Sequence, residues 1–141
     1  MKNFNNEKFN GAPVKKEGDK KSPAGIFTIG PAFGYPDKKD TAKAAYNSFE
    51  YMHRLDNYYK WGLFIYHNSG NVVPGDGPCI FMHIWENDNE GTDGCTAMKE
   101  SNILRVLHWI NYKDNPLLVQ LPKAEYRKLR AQFGLPGIRV K

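Results

Sequence analysis

The stretch Cys79–Met98, CIFMHIWENDNEGTDGCTAM, constrains this chain more than any other. It sets a histidine near the end of an apolar run, follows it with an acidic loop, and then places a cysteine directly after a glycine. Cys79–Trp85 reads as a strand, because Ile80, Phe81, Ile84 and Trp85 make a dense apolar and aromatic run without helix caps. Period-two alternation puts Cys79, Phe81, His83 and Trp85 on one face and Ile80, Met82 and Ile84 on the other. The loop carries Glu86, Asp88, Glu90 and Asp93 and ends in Gly91-Thr92-Asp93-Gly94-Cys95. Gly94 can adopt backbone angles closed to other residues, so Cys95 can sit on a tight turn with nearby N–H groups aimed at a ligand. If the loop folds back, His83 and Cys95 meet.

Such a meeting has a definite chemistry. A thiolate is the attacking species, and a free cysteine has a pKa of about 8.5. A neutral imidazole at His83 can take the proton, or the two can form a thiolate–imidazolium pair. The N–H groups around Gly94 and Cys95 are candidates for holding the oxyanion that follows. Taken without further context, a cysteine is more often a small buried residue than a nucleophile. Asp93 beside the thiol disfavours the thiolate by charge, unless it faces away or pairs with His83 as an imidazolium; both arrangements stay open.

These residues resemble a known signature. His83, followed twelve residues later by Cys95 in a Thr-x-Gly-Cys setting, is similar to the L,D-transpeptidase catalytic domain of the YkuD type, which remodels bacterial peptidoglycan. Glu17–Gly30 (EGDKKSPAGIFTIG), Tyr59-Lys60-Trp61-Gly62, His67-Asn68 and Pro74-Gly75-x-Gly77 resemble further segments of a compact branch, in the same order. The likeness runs from about Val14 to about Tyr126. It implies that Cys95 is the acylating nucleophile, His83 its base, Gly94 part of the oxyanion loop, and Thr92 the hydroxyl that helps orient the histidine. Two positions depart from the pattern. Many members carry histidine before the Gly-Cys pair and arginine two residues after the cysteine, where this chain has Asp93 and Ala97. The second change removes a guanidinium that could hold a substrate carboxylate.

The rest of the chain is read around that centre. With 141 residues it makes one domain, and 40% hydrophobic residues suit a folded core. A loosely ordered segment is expected over 1–13, the catalytic domain over 14–134 and a tail over 135–141. Ile26–Ile29, Trp61–Asn68 and Leu117–Leu121 read as strands, with the second antiparallel to the histidine strand. Lys38–Tyr58, Lys99–Tyr112 and Lys123–Phe133 show helical spacing, with Asp40 or Thr41 capping the first, Ser101 or the loop before it the second, and Gly134 ending the third. The expected fold is α+β, mainly β: the β-sandwich-like catalytic domain with two or three helices.

For substrate contacts, the expected set is His67 and Asn68 on the neighbouring strand, with Trp85 and Asp93 flanking the reacting pair. His53 and His108 sit in helical patterns and read as structural or surface residues. Neither metal nor cofactor is expected: the loop fails the calcium pattern because Ala97 stands where the closing glutamate belongs, and no tight ligand pair supports zinc. Two cysteines allow one disulfide, but a reactive Cys95 requires thiols. The net charge of +5 suits an anionic partner, while Lys15, Lys16, Lys20 and Lys21 read as a solvated cluster. No run approaches the roughly 18 apolar residues of a membrane span, and the first ten residues lack a signal core.

The resulting expectation is a monomeric cysteine acyltransferase of the cell envelope, acting on peptidoglycan stem peptides in cell-wall biogenesis and making 3-3 cross-links. The alternatives are an L,D-carboxypeptidase with the same Cys95 and a non-catalytic wall-binding module. Nucleic acid is not an expected partner, because the lysines are scattered.

Overall fold

The computed structural model describes residues 15–35, 56–77 and 79–138. Its strands are β1 (Gly25–Gly34), β2 (Trp61–Ile65), β3 (Ile80–Ile84), β4 (Thr96–Met98) and β5 (Leu117–Gln120). Its α-helices are α1 (Glu100–Trp109) and α2 (Lys123–Phe133), with a 3-10 turn at Tyr112–Asp114. The strands form one mixed sheet in the order β4-β3-β2-β1-β5. β1 pairs antiparallel with β2 and β5, and β2 pairs antiparallel with β3, as the turn-rich connection between them predicts. β4, which the sequence pattern does not announce, pairs parallel with β3. This is the mainly-β α+β architecture expected, with two α-helices among the described residues.

The two faces of the sheet do different work. Leu63 and Ile65 of β2 stand opposite Met82 and Ile80 of β3, and these buried side chains meet Ile103, Leu107 and Ile110 from α1 and its end. Alternation puts a different set on the other face. Phe64 stands opposite Phe81, and their rings are 4.9 Å apart at 76°. Phe33 reaches both edge-on, at 5.4 and 5.6 Å. Tyr59 continues the row and comes within 5.1 Å of the His83 ring. His83 therefore ends an aromatic row whose edge-to-face geometry suits ring quadrupoles.

α1 begins without a side-chain cap. Its N-cap residue is Lys99 in extended conformation, and Ser101 lies inside the first turn. Glu100 compensates there: it accepts from Lys60 Nζ at 2.8 Å and from Trp61 Nε1 at 3.0 Å, tying the helix start to β2. A carboxylate in the first turn also suits the helix dipole, and the Lys60 ammonium, with help from Trp61, holds the Glu100 carboxyl below its usual range. α2 ends at Gly134 as expected. The helix expected over Lys38–Tyr58 lies outside the described residues apart from its last three, which form a turn closed by Asp56 Oδ1 accepting from the Tyr58 N–H.

Gly62 stands directly across from His83, and the Phe33 ring lies over it. A Cβ built there would meet Phe33 Cζ at 2.3 Å and the Met82 carbonyl at 2.9 Å. Neither the ring nor the strand can move without disturbing the row. Gly62→Ala is expected to cost on the order of 3 kcal/mol by overpacking, seen as a lowered midpoint in urea unfolding.

Candidate functional site

The parallel ladder decides where His83 and Cys95 fall. Met82 pairs with Thr96, His83 with Ala97 and Ile84 with Met98. One step before Thr96, Cys95 is level with Phe81, on the face that carries His83. His83 and Cys95 line one cleft of about 270 Å³, together with Tyr58, Tyr59, Trp85 and Ala97. The loop adds Glu86, Glu90, Thr92 and Asp93 to its wall. A second groove, about 660 Å³, adjoins it across Tyr58, Trp85 and Glu86 and extends to Asp88 and Lys99. On the shared wall the Tyr58 hydroxyl donates to Glu86 Oε2 at 2.6 Å. That carboxylate pushes the Tyr58 phenol up to about 12, so Tyr58 stays protonated at neutral pH.

His83 is 7% exposed, and its Nδ1 lies 2.7 Å from the Ile84 carbonyl oxygen. A carbonyl only accepts, so Nδ1 carries the hydrogen, and Nε2 is the basic nitrogen of the neutral ring. Cys95 is half-buried and free of disulfide, as is the exposed Cys79. Burial raises the Cys95 pKa most; the charges of Asp93 and of a Cys79 thiolate push the same way, while the Phe81 backbone N–H, hydrogen-bonded to the sulfur, and the Lys15 ammonium oppose them. No residue pattern flags a main-chain donor such as Phe81, which emerges only from the β3–β4 pairing.

The turn before Cys95 is held by hydroxyls. Thr92 Oγ1 donates to the Cys95 carbonyl at 2.6 Å and accepts from the Gly94 N–H at 3.2 Å. Ser22 Oγ donates to the same carbonyl at 3.0 Å. Thr92 thus acts on the Cys95 turn, whereas the Nδ1 hydrogen bond of His83 goes to Ile84. Because the Gly94 N–H is engaged by Thr92, it is withdrawn from the amides expected to face an oxyanion. Gly94 has φ +126°, and a Cβ there would come within 3.1 Å of Lys15 Nζ and of the Lys21 carbonyl.

Of the other sequence candidates, Trp85 and Asp93 line the cleft, whereas His67 and Asn68 do not. β2 runs antiparallel to β3, so the chain beyond Ile65 leaves past Ile80, at the opposite end of β3 from His83. There His67 bonds the Asp76 carbonyl through Nε2 at 3.0 Å and meets the Phe27 ring edge-on. Asn68 is buried and bridges the backbone of Val73 in both directions. Both hold the 68–77 connection. His53 falls outside the described residues, and His108 is exposed on α1, its Nδ1 donating to the Leu104 carbonyl at 2.7 Å. Lys15 departs from the solvated cluster expected of the early lysines: it is buried and paired with Asp19, whereas Lys16, Lys20 and Lys21 are exposed.

Comparison with known families settles the lineage. The model of the L,D-transpeptidase catalytic domain (YkuD) matches residues 9–121. The chain belongs to the YkuD family. Searches of curated proteins and of solved structures returned no match. The YkuD match spans every strand of the sheet and α1, and its last residue falls just after β5. Within this YkuD domain Ala97 pairs with His83 and lines the cleft, and among the described residues lining it there is no lysine or arginine. No described helix is long and apolar enough to cross a membrane.

The balance at Cys95 predicts its reactivity. Alkylation by iodoacetamide, followed peptide by peptide, is expected to titrate with a midpoint above the ordinary thiol value of about 8.5. Asp93→Asn removes a like charge and is expected to lower that midpoint, speeding alkylation at pH 7 roughly threefold for about half a pKa unit.

Proposed function

We propose that the protein is a cysteine acyltransferase acting on the tetrapeptide stems of peptidoglycan, an L,D-transpeptidase working through a Cys95 acyl-enzyme. The observation that carries this reading is that Cys95 and His83 share one face of adjacent parallel strands and open into one cleft. His83, with its hydrogen on Nδ1, takes the Cys95 proton at Nε2. The thiolate attacks the carbonyl between the third residue and the terminal D-alanine. The imidazolium returns the proton to the departing nitrogen as the C–N bond breaks, and free D-alanine leaves behind a thioester. An acceptor amine then attacks the thioester carbonyl, gives up a proton to His83, and releases the thiol with a 3-3 cross-link formed.

The charge of the cleft supports an amine as the acceptor. Glu86, Glu90 and Asp93 stand on its wall, opposed there by no lysine or arginine among the described lining residues. Such a wall attracts an ammonium and repels a carboxylate. Trp85 offers a ring to the apolar stem of the donor. With Ala97 in place of the arginine common in the family, specificity rests more on the acceptor amine than on a carboxylate clamp. The setting proposed for this work is the cell envelope.

Purified disaccharide-tetrapeptide incubated with the protein is expected to yield cross-linked dimers by mass spectrometry, and Cys95→Ala none. Tripeptide alone would replace this reading with the carboxypeptidase; sacculus binding without any Cys95-dependent product would favour the wall-binding module. His83→Gln is expected to lower kcat/KM by about 10²- to 10⁴-fold, with the unfolding midpoint little changed.

A further inference from the structure

Residues 15–23 add nothing to the wall of the cleft, yet they clasp the turn that presents Cys95. Asp19 closes this strap into a loop: its carboxylate accepts from the N–H groups of Lys16 and Lys21, both at 2.9 Å, and from Lys15 Nζ. The Glu17 N–H seats the loop on the Gly75 carbonyl at 2.7 Å. Lys15 then turns inward, its side chain only 4% exposed, with Nζ donating also to the Lys16 carbonyl at 2.7 Å. Its end lies against Gly94 so closely that a Cβ there would meet Lys15 Cε and Nζ at 3.1 Å. At the other end of the strap Ser22 donates to the Cys95 carbonyl. Gln120 Nε2 donates to the Pro23 carbonyl at 2.8 Å, while its Oε1 accepts from Thr96 Oγ1 at 2.6 Å. The residues on both sides of Cys95 are therefore tied to one segment.

We propose that Lys15 and Ser22 are positioning residues: the 15–23 strap holds the Gly94–Cys95 turn in register and sets the electrostatic field at the Cys95 sulfur. This rests on Cys95 being the nucleophile. A buried ammonium is costly unless paired. Asp19 pairs it and holds its own carboxyl well below the usual range, chiefly through Lys15 and then the two N–H groups. The pair is asymmetric, because the ammonium end lies against Gly94. A cation next to the turn favours the thiolate, and Asp19 offsets part of that. The other titratable groups around the sulfur are Asp93 on its own turn, His83 on β3, Cys79 at the entry to β3, Glu86 and Glu90 on the loop, and Tyr58 and Tyr59 before β2. The acidic groups among them disfavour the thiolate, so the strap supplies an opposing charge from behind.

The sign of the effect tests this. In the full chain, peptide-resolved alkylation of Cys95 by iodoacetamide is measured from about pH 6 to about pH 10, a range bracketing a thiol. Lys15→Met is expected to raise the midpoint and slow the reaction at neutral pH roughly threefold; Asp19→Asn, which keeps an acceptor for Lys15 but removes the offsetting charge, is expected to lower the midpoint and speed it by a similar factor. Slowing in both variants, or no shift in either, overturns the proposal. If Lys15→Met does not fold, the direction of the Asp19→Asn shift decides alone. For the hydroxyl, Ser22→Ala is expected to lower kcat of acyl transfer about fivefold at unchanged KM, with Ser22→Thr restoring it. An unchanged kcat removes Ser22 from the proposal. Opposite shifts in the two charge variants, without turnover of any stem peptide, uphold the strap and overturn the acyl-transfer reading instead.

Discussion

Three rungs of parallel ladder, Met82 to Thr96, His83 to Ala97 and Ile84 to Met98, carry the rest of the site. A parallel pairing cannot be closed by a hairpin. The chain must leave the far end of β3, travel back along it and re-enter in the same direction, which is what the eleven residues from Trp85 to Cys95 accomplish. The return gives Cys95 the face shared by Phe81 and His83, and it lays the carboxylates of the loop along the cleft. An antiparallel β4 would have put the cysteine at the other end of the strand. The place of the thiol beside the Phe81 N–H thus follows from the direction of β4.

That placement creates an electrostatic problem which the surrounding residues answer piece by piece. Burial and Asp93 both work against a thiolate at Cys95. Against them stand the N–H of Phe81 and the cation of Lys15. Fixed dipoles and a paired cation behind the turn need no rearrangement when charge develops, which is how preorganised sites favour ionised states. The tautomer of His83 is set in turn by a backbone carbonyl, because Ile84 takes the Nδ1 hydrogen.

Much of this was legible in the residues. Alternation along Cys79–Trp85 gave the two faces of β3 correctly, and the turn-rich connection gave its antiparallel partner. The helical spacing over Lys99–Tyr112 gave α1, which ends at Trp109, and Gly134 gave the end of α2. What stayed hidden has a common cause. Thr96–Met98 is too short to carry a period, and its strand character comes from the partner it lies beside. His67 shares an alternation with Leu63 and Ile65, but the register of the antiparallel pair, with Ile65 opposite Ile80, carries it past the start of β3 and away from His83. Lys15 looked like one of four solvated lysines. Only the fold brings Gly94 and Gly77 against it and seals it from water.

The glycines beside His83 and Cys95 show how tightly fold and site are coupled. Gly62 leaves room for the Phe33 ring across from His83, and Gly94 leaves room for Lys15 behind Cys95. In each case a missing Cβ is filled by a side chain from elsewhere in the chain: an aromatic ring across from His83, and a cation behind Cys95. Overpacking at the first would unseat the aromatic row on which His83 rests. At the second, where φ is +126°, any side chain would meet both backbone strain and the Lys15 ammonium. His83 is therefore positioned by apolar packing and Cys95 by hydrogen bonds and charge, so substitutions on the aromatic face should act mainly through stability, and those on the strap through reactivity.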